Sequence, residues 1–131
     1  MEKIILFIKI SISVVISGIS YFLGGFDVLL ICLFSLVVID YISGVLSALC
    51  NKTLSSQTGF IGILKKVCIF LVVAVATMIG IFTGIESVRD LTVSFYIANE
   101  SVSILENLGK IGVPLPQKLK DVLLQIKEEK A

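Results

Sequence analysis

Histidine is absent from the sequence, which removes the usual general base and the commonest protein metal ligand. Charge is scarce as well. Only 16% of the 131 residues are charged and 56% are hydrophobic, with a mean hydropathy of +1.07, whereas soluble domains carry about 25% charged and about 45–50% apolar residues. Such a balance describes a small integral membrane protein. The net charge of +1 argues against a nucleic-acid partner, which would need a clustered basic footprint in a polar context. The three cysteines, Cys32, Cys50 and Cys68, form no CxxC and lie in or beside apolar runs. They read as buried small hydrophobes, and no metal or redox centre is expected. No nucleophile, base and orienting group occur together in a polar setting, so neither an enzyme site nor a cofactor site is expected.

What the chain does have is long apolar runs. Ile4 to Leu23 is nearly continuous apolar sequence, broken by Lys9 and several serines, and is about the 20 residues that cross a bilayer. A cleaved signal peptide is the alternative, with Lys3, Lys9 and small residues from Ser17 to Ser20, but no clear A-x-A site accompanies them. Ser13, Ser17, Gly18 and Gly24 give this span a small-residue ridge suited to close helix contact. After the Gly24-Gly25-Phe26-Asp27 break, Val28 to Leu49 forms a second run with Asp40 near its middle. A carboxylate at that depth must face a bundle or a wet cavity, or be protonated. Ser43, Gly44, Ser47 and Ala48 share its helix face, which makes a packing seam with one acidic group in it. Asp40 therefore reads as a pore or assembly residue, or else as a structural aspartate bonded to Lys9 or to serine hydroxyls. Asn51 to Lys66, with Ser55, Ser56, Gly59, Gly62, Lys65 and Lys66, reads as a polar cytoplasmic loop. Val67 to Gly84 is a third run, with Ala76, Gly80 and Gly84 as a small-residue ladder for helix packing.

Leu91 to Lys118 is the most informative stretch. On a helix, Thr92, Tyr96, Asn99, Glu100, Ser103, Glu106 and Asn107 fall on one arc about 120° wide, and nearly everything opposite is apolar. Alone, this pattern fits an amphipathic helix on a soluble core. In so apolar a chain it reads as a fourth span whose polar stripe faces water or the same stripe of another copy. Gly112 to Pro116 stops the helix, because proline lacks an N–H and moves the preceding residue out of the α region. Lys118 to Lys130 follows as an amphipathic tail, with Leu119, Val122, Leu123 and Ile126 on one side, lying on the membrane surface or pairing with copies of itself. With four crossings the lysines fall at or near the inner face and only Arg89 lies outside, which places both termini in the cytoplasm. The expected fold is an all-α integral membrane protein with one membrane domain over residues 1–131. Its spans lie near 4–23, 28–49, 67–84 and 91–108, with a cytoplasmic tail over 109–131; a three-span bundle is the alternative.

NESVSILEN at Asn99 to Asn107 and GVPLPQKL at Gly112 to Leu119 resemble the C-terminal signature of the toxin-secretion and phage-lysis holins. DYISG at Asp40 to Gly44 is similar to that family's second-span aspartate and glycine. Ser55, Ser56, Gly59, Gly62, Lys65 and Lys66 are similar to its serine, glycine and double-basic segment. The resemblance extends from about Asp40 to the end. The first span matches only as a generic hydrophobic segment, and Thr77 stands where members often have an acidic residue. The resemblance implies a protein that forms homo-oligomers in the bacterial cytoplasmic membrane and opens a lesion in the lipid bilayer. Endolysin or a large toxin would leave as non-specific cargo. The alternatives are a small ion-coupled or multidrug-type transporter using Asp40 or Glu100, and a membrane anchor or assembly subunit without a pore.

Overall fold

A computed structural model describes residues 1–130, apart from the side chains of Ile126, Lys127 and Lys130. Its five helices are α1 (Glu2–Phe22), α2 (Val28–Cys50), α3 (Ser56–Thr83), α4 (Ser87–Ile111) and α5 (Gln117–Lys130), and no strand occurs among the described residues. Helices α1, α2 and α3 are long and apolar enough to cross a membrane. α4 has the length, but it carries Arg89, Asp90, Glu100, Glu106 and Lys110.

Local chemistry sets the helix ends. The Asp27 carboxylate accepts from the Leu30 N–H at 2.9 Å and caps α2, which satisfies one of the donors left open by the first turn. Ser55 caps α3 in the same way through the Thr58 N–H. Gly84 and Gly112 end α3 and α4 in the left-handed region, with φ of 73° and 98°, where a side chain would strain the backbone.

The connection between α2 and α3 is shorter than the sequence reading of Asn51 to Lys66 as a loop. α3 already starts at Ser56, so Lys65 and Lys66 stand on a helix three turns in. The reason is packing that hydropathy does not register. Tyr41 of α2 lies against Gly59 and Gly62, with its hydroxyl 3.4 Å from where a Gly59 Cβ would be, so the polar start of α3 has a helix to lean on. The cysteines also differ from expectation, because all three are free and exposed on outward faces of the single chain. Gly84 serves as the cap of α3 with no atom within 4 Å of its Cβ position, whereas Ala76 and Gly80 of the same ladder are buried.

α4, the helix with the most charge among the first four, is the one the others gather around. It packs chiefly along α2 and next along α3, while α2 and α3 meet each other only slightly. Leu23, Leu30, Leu33, Val37, Val73 and Val93 form the apolar core, with Tyr96 and Ile97 against it. α1 contributes no buried residue and touches only α3, so Ser13, Ser17 and Gly18 of its small-residue ridge stay exposed, while Gly24, beyond its end, lies against Arg89. The outward faces of α1, α2 and α3 carry Phe7, Phe34, Leu71 and Phe82 in the open, as a lipid-facing surface requires.

Candidate functional site

Below the apolar core the bundle turns polar. Asp40, Lys66 and Glu100 each lie roughly 15 Å along their helices from the end that carries the 51–55 connection, at a rise of 1.5 Å per residue. They therefore meet at one level. The Lys66 ammonium donates to Glu100 Oε2 at 2.5 Å and also to Asp40 Oδ2. Asn107 Nδ2 donates to Asp40 Oδ1 and to Ser43 Oγ, both at 3.0 Å, and Ser43 Oγ donates to the Asp40 carbonyl at 3.0 Å. Glu100 is 2% exposed and Asp40 6%, while the Lys66 side chain keeps 20%. Three helices thus contribute two carboxylates, one ammonium and one amide to a buried cluster whose formal charge is −1.

Each ionised group is buried because another partners it. A carboxylate placed alone in an apolar interior would cost several kcal/mol or more. Lys66 therefore does not act as a loop lysine at the membrane surface. Its ammonium closes α3 onto α2 and α4 at once, and Asn107 completes the seam between α4 and α2. Lys9, a candidate partner for Asp40 in the sequence, is exposed on α1, and the serine that touches Asp40, Ser43, bonds its backbone carbonyl.

Two openings reach the cluster. A groove of about 280 Å³ is walled by Tyr41, Gly44, Leu54, Gly59 and Gly62 and floored by Asp40, Lys66, Ser103 and Asn107. On the other side of Lys66, a recess of about 340 Å³ is lined by Lys65, Tyr96, Asn99 and Glu100. The structure thus brings together much of what the sequence singled out. Asp40, Ser43, Gly44, Glu100, Ser103 and Asn107 surround one site. Ser47 is buried one turn farther along α2, where its carbonyl accepts from Asn51 Nδ2 at 2.8 Å. Tyr96 packs on the apolar core. Thr92 bonds the Val88 carbonyl at 2.8 Å, and Glu106 is half-buried on the far edge of the stripe. Within a single chain, then, the first partners of Glu100 and Asn107 are intramolecular.

A second polar feature, at the opposite end of the bundle, escaped the sequence reading. Arg89 is buried, and it donates to the Leu23 carbonyl at 2.9 Å, to the Gly25 carbonyl at 3.0 Å, to both Asp27 oxygens and to Asp90 at 3.0 Å. It therefore ties the α1–α2 turn to the start of α4. Gly24 makes room for it, since a Cβ there would meet Arg89 Nε at 2.9 Å and the residue has φ of +79°. The bond from Arg89 holds the Asp27 carboxyl below the usual carboxylate range. The available signal was a single arginine beside Asp90 and, 62 residues earlier, an aspartate in the Gly-Gly-Phe-Asp break, but nothing in the sequence pairs two residues so far apart, and the Leu23 and Gly25 carbonyls that Arg89 also reaches leave no trace in composition.

A sequence profile described as the bacteriophage holin family matches residues 17–128 of the chain. An uncharacterized 14.9 kDa protein of Clostridium perfringens is 39% identical over 132 residues, covering 99% of this chain and 100% of its own length. An uncharacterized protein of Listeria monocytogenes is 42% identical over 105 residues, covering 79% of this chain and 75% of its own. A probable holin of Bacillus phage phi105 is 42% identical over 93 residues, covering 70% and 69%. No solved structure matches the chain.

Proposed function

The chain belongs to the bacteriophage holin family, and from that membership we propose that it assembles with copies of itself in the bacterial cytoplasmic membrane and opens a lesion there. A muralytic enzyme or a large toxin leaves through that lesion as cargo, without a dedicated docking site. Both termini lie in the cytoplasm.

The observation that carries this reading is the position of α4. A helix bearing Asn99, Glu100, Ser103 and Asn107 on one arc is held at the centre of a bundle whose outer faces are apolar. Polar groups at such depth are costly in lipid, roughly 2.5–3.5 kcal/mol for a charged residue on insertion scales, and are kept where they line water or meet one another. The groove and the recess belong to the inner half of the bundle and stop at the apolar core, so a single copy offers no path for a macromolecule. A ring of copies supplies one, with the α4 stripes around water and α1 to α3 toward lipid. Lysine placement supports the orientation. Lys3, Lys52, Lys65, Lys110, Lys118 and Lys120 gather toward the end that carries the 51–55 connection, and Arg89 lies at the other.

Expression in a bacterium together with a cytosolic muralytic enzyme tests the reading. Wild-type protein is expected to give abrupt lysis after a period of normal growth. Asn99→Leu combined with Glu100→Leu should hold the protein in the membrane and lower lysis at least tenfold, since Asp40 and Lys66 remain as a neutral pair. Ile97→Leu should be silent, because volume and polarity are nearly kept. Drug resistance without lysis would indicate a transporter, and neither phenotype would indicate an anchor. Equal lysis by the double variant would remove α4 from the lesion.

A further inference from the structure

The cluster at the middle of the bundle is one positive charge short. Asp40 and Glu100 share the single ammonium of Lys66, and both carboxylates are buried, at 6% and 2% exposure. A net buried charge is the least tolerable state of such a cluster, and neutralising one group removes it. We propose that this cluster is a proton-binding site: one proton, held on the Glu100 carboxyl, makes it neutral and keeps α3 and α4 together. Its release favours the turning of the α4 stripe toward water. That second step rests on the lesion reading given above.

Glu100 is the natural holder. Asp40 accepts from both Lys66 and Asn107, so each of its carboxylate oxygens already has a donor. Glu100 accepts from Lys66 and is the more buried of the two, at 2% exposure. A metal cation does not suit the place, because the ammonium already stands between the carboxylates and would repel a second cation. A proton adds no volume. The charged and titratable neighbours are Asp40 and Tyr41 on α2, Lys65, Lys66 and Cys68 on α3, and Tyr96 and Glu106 on α4. Of these, Lys65 stands at the mouth of both openings, with its side chain exposed, so its charge is largely screened by water.

The exchange is balanced. Hydronium in the recess beside Asn99 and Lys65 gives its proton to a Glu100 oxygen and leaves water, and the cluster passes from −1 to neutral. On release the proton returns to water by the same recess. The carboxylate then left behind is better placed facing water than facing Asp40.

The test uses the full chain reconstituted in phospholipid vesicles, followed by infrared difference spectroscopy as pH is raised. One protonated-carboxyl C=O stretch per chain is expected from the cluster at neutral pH, lost at high pH. Glu100→Gln should remove that band, and so should Asp40→Asn, because the remaining Lys66–Glu100 pair is then neutral without a proton. Absence of the band in folded wild-type protein at all pH values, or its persistence in both variants, would overturn the proton site. In the same vesicles, release of a trapped dextran should rise as the band disappears, and Glu100→Gln should keep the vesicles tight throughout. Release that ignores pH would overturn the opening step while leaving the lesion reading in place. Wild-type vesicles that never release dextran would count against the lesion reading, and the band alone would then decide the proton site.

Discussion

Lys66→Met is expected to be the most damaging single substitution in the chain. It removes the cation from two buried carboxylates and leaves Asp40 of α2 and Glu100 of α4 facing each other. Breaking a buried ion pair by deleting one partner costs about 3–5 kcal/mol, a large fraction of the stability of a domain this size. Unfolding in detergent micelles, followed by loss of helical signal, should show that drop. Adding Asp40→Asn and Glu100→Gln to the same chain should restore most of it, because nothing charged then remains to be neutralised. If Lys66→Met alone were as stable as wild type, the ammonium would not be holding the helices together.

Arg89→Met should come next. The guanidinium is the hydrogen-bond donor to the Leu23 and Gly25 carbonyls, and it is the ion partner of Asp27. A buried acceptor left without its donor costs about 1–3 kcal/mol, so a loss of about 3 kcal/mol is expected. α1 should be freed first, since the Arg89 bonds to Leu23 and Gly25 are what tie its end to α4. Limited proteolysis of the 23–27 turn measures that release. The variant should also change the response to acid. In the wild type the hydrogen bond from Arg89 lowers the Asp27 carboxyl, so Asp27 contributes stability above its unfolded value, about 3.9. That contribution is lost as pH falls through the lower, folded value. Asp27 keeps 46% of its side chain exposed, which limits the contribution to under about 1 kcal/mol. The acid-dependent part of the unfolding curve should be flatter in Arg89→Met, and an unchanged curve would mean that the Arg89–Asp27 bond adds nothing.

Helix existence was legible in the sequence because long apolar runs are separated by breaks, Gly24 to Asp27 after the first and Gly112 to Pro116 after α4, whereas Ser55 and Gly84, read as a loop residue and a packing residue, are the caps of α3. The polar stripe of α4 was legible as a stripe, since seven side chains at helical spacing need no tertiary knowledge. What it faces was not legible. Glu100 and Asn107 find their partners on α3 and α2, at sequence separations that only the packed bundle reveals. Lys66 was read with the loop because hydropathy marks a span where apolar sequence begins, at Val67, whereas the backbone is helical from the Ser55 cap onward. A lysine inside the bundle looks, in a window average, like a lysine outside it. The cysteines show the converse: an apolar neighbourhood in sequence says that a residue is in the membrane, and lipid-facing helices keep such residues on their outer surface.

The passage of α4 through the membrane is tested most directly by labelling single cysteines with an impermeant thiol reagent in intact cells before lysis. Cys32, Cys50 and Cys68 are first replaced by alanine, which their exposed positions should tolerate. Cysteine is then placed at Glu86, between α3 and α4, or at Glu129, near the end of α5. With α4 crossing the bilayer, Glu86→Cys is labelled from outside and Glu129→Cys reacts only after the cells are made permeable. Labelling of Glu129→Cys in intact cells would put α4 at the membrane surface and contradict the four-span bundle.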